Sequence, residues 1–294
     1  MPQKVGFLYS GSNNSMGPLL TQFSRLLRPN IPVIPKHADD DYSRLRPDAG
    51  DLIRQGVDVL VAAGGPVSAF AARDETAQQQ PPKPPVVFTS VTDPVGTGLV
   101  GGNLTGVAGL TTEMDLTRLR LLQELKPSIK KIGVLANGSR PFVDSQIDKL
   151  KRAADPNLDL PVEKAYAPNV PEIGAAIKRL VNTHQVEALL VTADPFFNSR
   201  RNVVIHEVAQ VQRPAIYQWR EFAEDGGLMS FGPNIDEEYA AAADYTVRCL
   251  NSTNPATIPI YQPTKFELVF NLRTASALGL SIPPRLLARA ELIP

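Results

Sequence analysis

The chain has 294 residues, with thirty basic and thirty acidic side chains, 43% hydrophobic and 20% charged content, an ordinary globular composition long enough for two lobes rather than one core. The formal net charge of zero leaves no overall field to draw in nucleic acid or an anionic membrane surface, and the apolar runs are strand-length, far below the roughly 20 residues of a membrane helix. The single cysteine, Cys249, excludes an intrachain disulfide and a multi-cysteine metal site.

The sequence enters a strand almost at once, at Val5–Tyr9, with no basic-then-apolar leader before it; this fits either a cytoplasmic protein or one whose leader has been removed. A helix follows over Gly17–Leu27, with Leu19, Leu20, Phe23, Leu26 and Leu27 on one face. Ile31–Pro35 reads as an edge strand because of its prolines. Next come a helix over Arg46–Gln55, a strand over Val57–Ala62, the Gly64-Gly65-Pro66 turn, and an alanine-rich helix to Gln79. Gln80–Pro85 is a stiff connector that delivers the apolar run Val86–Thr89. Uninterrupted runs of this kind suit strands covered on both faces.

Residues 91–110 are loop-like and then extended, and read as the surface approach to a first crossing between lobes. Thr112 and Asp115 resemble a capping box, opening a helix with Leu116, Leu119, Leu122 and Leu125 inward. A second lobe repeats the plan, with strands at Ile132–Ala136, Leu160–Ala165, Ala188–Thr192 and Ala215–Tyr217 and helices near 141–153, 172–183 and 198–211. Gly226–Phe231 reads as the return crossing. The helix Ile235–Leu250 opens on Asp236, Glu237 and Glu238, whose charges suit the positive end of its dipole. A last strand at Lys265–Asn271, a helix at Thr274–Leu278 and a proline-bounded tail complete the chain. Strand–helix alternation predicts an α/β fold of two doubly wound parallel-sheet lobes, residues 1–110 with 236–262 and 111–235 with 263–294.

Six strands end in small or polar loops, and parallel sheets bind ligands beyond those ends. In the first lobe Ser10, Ser12, Ser90 and Thr92 offer hydroxyls, while Gly11, Gly65 and Pro66 shape turns that present backbone N–H groups, a collection suited to a carboxylate or another oxygen-rich group. Asp93, Asp194 and Glu221 are carboxylates at or just past strand ends, where turn stabilisation is the alternative role. Asp194 stands beside Pro195, Phe196 and Phe197, which suits an organic cation or amino group, although both rings also fit core packing. Tyr217 and Trp219 alternate at another strand end and can stack on a planar ligand.

Other motifs point away from catalysis and cofactors. Gly96–Gly101 matches G-x-G-x-x-G but has no helix pattern after it, so the dinucleotide mechanism lacks its helix N-terminus. His37, His184 and His206 follow no strand terminus, and no Walker loop, H-E-x-x-H or G-x-S-x-G elbow is present. The expectation is no cofactor, no metal and no nucleophile–base pair.

Four segments carry a resemblance: Thr92–Val100 with Gly102–Val107; Ala193–Phe197 (Ala-Asp-Pro-Phe-Phe); Arg220–Pro233; and Gln262–Ala275. They resemble the ABC-transporter substrate-binding family that includes tryptophan- and phenylalanine-binding members, over a span from about Val5 to the C-terminus. The resemblance implies a type I periplasmic-binding-protein fold, with two lobes joined by a three-strand hinge that closes on a solute. It further implies no enzymatic activity, a monomer working outside the cytoplasm in the periplasm or as a lipoprotein, and delivery to an inner-membrane permease. Its implied ligand contacts are Ser10, Gly11, Ser12, Gly65, Pro66, Ser90, Val91, Thr92, Asp93, Asn137, Gly138, Asp194, Pro195, Phe196, Tyr217, Trp219, Arg220 and Glu221. Amino-acid-binding members place acids where this chain has Trp219 and Arg220, and tend to have Asn where it has Pro195, so an aromatic or carboxylate-bearing solute fits these positions. The alternatives are a cytoplasmic ligand sensor of the same fold and an enzyme using Asp194 or Glu221.

Overall fold

The computed structural model describes residues 3–27, 30–39, 41–109, 111–140, 142–158 and 160–294. The chain divides into two compact units, Met1–Leu110 with Asn234–Lys265 and Thr111–Pro233 with Phe266–Pro294, and so passes from one to the other three times.

In the first unit, β1 (Val5–Tyr9), β2 (Val33–His37), β3 (Val59–Ala63), β4 (Val86–Val91) and β5 (Leu104–Ala108) form a parallel sheet in the order β2-β1-β3-β4-β5. Side chains alternate across it, as a period of two requires. Val5, Phe7 and Tyr9 pack with Phe23 and Tyr239 on one face, while Leu8, Leu60 and Phe88 pack with Leu52 and Ala72 on the other. Burial on both faces explains why these strands are continuous apolar runs.

In the second unit, β6 (Ile132–Ala136), β7 (Val162–Tyr166), β8 (Ala188–Val191), β9 (Ala215–Tyr217), β10 (Met229–Pro233), β11 (Phe266–Asn271) and β12 (Glu291–Ile293) form a sheet in the order β12-β11-β10-β9-β8-β6-β7. All its pairs are parallel except β10 with β11. Val134, Leu190 and Ile216 face Leu122, Ile147 and Leu150; Leu135, Leu189 and Val191 face Ile173, Ile177 and Val204.

Three stretches differ from their reading in the sequence. Residues 104–108, expected to approach a crossing over the surface, are a fully buried strand paired with β4, and Thr105 enters the interior because its hydroxyl donates to the Ile258 carbonyl at 3.1 Å. Gly226–Phe231, expected as the return crossing, contributes to β10 between β9 and β11. There Gly232 lies so close to β9 that a Cβ would come 1.9 Å from the Gln218 carbonyl oxygen, a contact that glycine alone permits. The C-terminal tail adds β12 to the sheet edge. The capping-box reading at Thr112 lies outside the described side chains.

Among the described residues, no helix is long and apolar enough to cross a membrane, and no cluster of three His, Cys, Asp or Glu is placed to hold a metal ion. Burial pushes the Cys249 thiol up to about 11, which keeps it protonated and unreactive.

Candidate functional site

Parallel pairing sets the C-terminal ends of β1, β3 and β4 side by side along one edge of the first sheet. Ser10 follows β1, wholly buried, and its hydroxyl donates to the Gly64 carbonyl at 2.9 Å. Gly64 and Gly65 follow β3 with φ of 88° and 99°, a left-handed conformation that glycine adopts without a Cβ penalty. Gly65 caps the helix Pro66–Ala77, whose first residue needs no amide hydrogen. At the end of β4, Ser90 is held at φ 56°, a strained value for serine. Gly11 and Ser12 are buried between β1 and the helix Asn13–Leu26, which Ser12 precedes as N-cap residue without a side-chain capping bond.

The three expected contacts at the end of β4 separate. Val91 is fully buried and Thr92 half-buried, whereas Asp93 is exposed. The Asp93 carboxylate accepts the Gly96 amide at 2.8 Å and its carbonyl accepts the Thr97 amide at 3.0 Å. Asp93 thus shapes its own turn, and no helix follows the glycines at 96–101 before β5.

In the second unit, Asn137 after β6 donates through Nδ2 to Asp194 at 3.1 Å and accepts the Ser139 amide at 3.0 Å. Gly138 is exposed against Tyr166. Asp194, 1% exposed, is the N-cap of the short helix Pro195–Ser199 and accepts the Phe196 amide at 2.9 Å. Pro195, Phe196 and Phe197 are all buried. After β9, Tyr217 is a core residue, its ring stacked on Phe222 at 4.7 Å, and burial raises its phenol above the ordinary range. Trp219 is half-buried beside it.

Arg220 does not wait for a ligand carboxylate. Its guanidinium donates to Glu224 and to Glu291 of β12, both at 2.7 Å, and lies 3.8 Å from Glu267 of β11. The charge is therefore spent on tying the last two strands to the helix Arg220–Glu224. Burial raises the Glu221 carboxyl, with Arg201 opposing it.

The structure also brings in groups that the sequence reading passed over. Arg118, fully buried on the helix Thr111–Leu125, donates to Asp115 at 2.5 Å and to the Phe231 carbonyl of β10 at 2.7 Å. The other Asp115 oxygen accepts Gln146 Nε2 at 3.1 Å; the Gln146 side-chain oxygen accepts Arg140, and Arg140 donates to the Ala193 carbonyl at 2.5 Å. A buried polar chain thus runs from the residue before Asp194 to β10. Burial drives the Asp115 carboxyl up and the Arg118 guanidinium down, against their mutual attraction.

In the second unit, four buried polar atoms have no hydrogen-bond partner among the described residues: Gln218 Oε1 and Trp219 Nε1 just after β9, Ser230 Oγ beside Tyr217 near the start of β10, and Asn198 Oδ1 in the helix that follows β8. In the first unit Glu238 Oε1 is in the same condition. Buried polar groups are nearly always satisfied, so these atoms call for a partner beyond the described residues.

The sequence profile of a family described as "ABC transporter substrate binding protein" matches residues 32–293. The chain is 28% identical over 257 residues to a tyrosine-binding protein of Clostridioides difficile, covering 85% of this chain and 71% of that protein. An ABC domain from Streptococcus pneumoniae solved in complex with L-Trp is similar over 100% of both chains, with a TM-score of 0.88 and 24% identity. A conserved domain protein from Vibrio cholerae is similar over 99% of both chains, with a TM-score of 0.86 and 24% identity. The fold is that of the type I periplasmic binding proteins.

Proposed function

Since the chain belongs to the ABC transporter substrate-binding family, we propose that it binds a small organic solute carrying an aromatic ring and delivers it to a membrane permease for import. The observation that carries this reading is the set of partnerless polar atoms on Asn198, Gln218, Trp219 and Ser230. They comprise two acceptors, one N–H donor and one hydroxyl, and the Trp219 ring, half-buried against the core that holds Phe196, adds an apolar face. A solute that has both a flat apolar face and hydrogen-bonding groups satisfies such a surface. The tyrosine-binding relative and the neighbour solved with L-Trp support an aromatic amino acid or a close analogue as the solute.

Asp194 is preorganised for the task. Bonds from Asn137 and the Phe196 amide fix its orientation before any ligand arrives, which lowers the ordering cost of binding. We take the protein to act as a monomer outside the cytoplasm, as a carrier with no catalytic step.

Thermal unfolding in the presence of L-tyrosine, L-tryptophan and L-phenylalanine tests this. The bound solute at a hundred times its Kd adds about 2.7 kcal/mol of stability. A melting curve indifferent to all three contradicts the aromatic reading.

A further inference from the structure

We infer that Glu238 is a specificity-determining contact, receiving a cationic nitrogen of the solute. This rests on the solute-binding reading above and deepens it by naming the group recognised.

Glu238 lies in the first turn of the helix Ile235–Leu250 and is 1% exposed. One of its oxygens accepts the Ser90 hydroxyl at 2.5 Å; the other, Oε1, is buried with no partner among the described residues. Ser90 in turn sits at the strand-end rim, since a Cβ added to Gly65 would lie 3.6 Å from the Ser90 carbonyl. The helix dipole accounts for acidic residues at this end, but not for burying one. Asp236 is exposed, and Glu237 is fully engaged with the Tyr261 hydroxyl, the Thr264 hydroxyl and the Lys265 amide. Only Glu238 is turned inward with acceptor capacity left over.

The groups facing it carry no positive charge. They are Ser90 of β4, Glu237 and Tyr239 on its own helix, and, beyond Tyr239, Thr89 of β4 and Tyr9 of β1. Among the described residues no lysine or arginine pairs with it. An apolar burial with no cation nearby disfavours the ionised form, and the carboxyl is pushed up to about 7. A cation supplied by the solute would restore the charged form and fill the open acceptor position. The strained backbone of Ser90, which holds the opposite oxygen, is the kind of local cost retained at binding sites.

Calorimetric titration with L-tyrosine and with its deaminated counterpart 3-(4-hydroxyphenyl)propionate, on wild type and Glu238→Gln, tests the assignment. The wild type should favour L-tyrosine by roughly 10–100-fold, the worth of a charge-assisted hydrogen bond, and Glu238→Gln should bring the two within about threefold. A variant that keeps the full preference overturns the role of Glu238 while leaving aromatic-solute binding intact. Binding of neither compound by the wild type overturns both readings together. A measurement on the unaltered protein guards against a variant that fails to fold. At a pH just below neutrality, titration in two buffers of different ionisation enthalpy should show more than about half a proton released per L-tyrosine bound. Binding with no proton release contradicts the inference.

Discussion

The strand-end rims of the two units solve the same problem with opposite chemistry. In the first, small hydroxyls and glycine turns accompany one buried carboxylate whose hydrogen-bond partner among the described residues is the Ser90 hydroxyl. In the second, Asp115, Arg118, Gln146 and Arg140 are linked into a buried chain ending at the carbonyl beside Asp194. Arg118 Nη2 also has no partner among the described residues, but its charge is matched by Asp115 and is architecture, because removing it orphans its neighbour; a carboxylate with no cation beside it has capacity left for a guest. The contrast of Asp93 with Asp194 repeats the lesson within one residue type. Both follow strands and both accept a backbone amide, but only Asp194 is withdrawn from water.

The largest effect should come from breaking the second rim. Arg118→Met leaves Asp115 buried without its cation, and chemical denaturation should show a loss of about 3–5 kcal/mol. Pairing it with Asp115→Leu should restore much of that loss, since a matched apolar pair is often as stable as a buried ion pair.

The first rim should reveal itself through pH. Folding raises the Glu238 carboxyl from 4.5 to about 7, so the folded state holds the proton more tightly than the unfolded chain. Its contribution is complete below about pH 4.5 and disappears as pH rises through about 7. The stability of the ligand-free wild type relative to Glu238→Gln should therefore fall by about 3 kcal/mol between those limits. A pH-independent difference would place Glu238 in an environment no different from water.

A smaller effect separates the two aspartates. Asp194→Ala removes a helix cap and the carboxylate that accepts from the Asn137 amide, a loss of about 1–3 kcal/mol, and it should also weaken solute binding. Asp93→Ala should cost about 1 kcal/mol or less and leave binding unchanged. Equal loss of binding from both would erase the distinction drawn from burial.

Much of this architecture was legible in the sequence, and the omissions have physical causes. Val5–Tyr9, Ile132–Ala136 and Ala215–Tyr217 are strands with the bounds that their apolar runs predict, because burial on both faces leaves an unbroken signal. β5 and β10 are interrupted by Thr105 and Gly106, and by Ser230 and Gly232, residues that tertiary contacts and close backbone approach require but that read locally as loop. The site was harder. Arg118 stands three residues after Asp115, a spacing that reads as a solvated pair on a helix surface. Glu238 is the last of three consecutive acids, and nothing local tells which of them turns inward. Arg220 looked available because its partners Glu267 and Glu291 lie far along the chain.

Trp219 is the only tryptophan in the chain, and its indole Nε1 is among the partnerless atoms. Its emission, excited at the red edge of tryptophan absorption where tyrosine does not absorb, is therefore a direct report from the second rim. Titration with L-tyrosine should produce a saturable change in that emission. A flat response from the folded protein to both L-tyrosine and L-phenylalanine would contradict aromatic-solute binding at this rim.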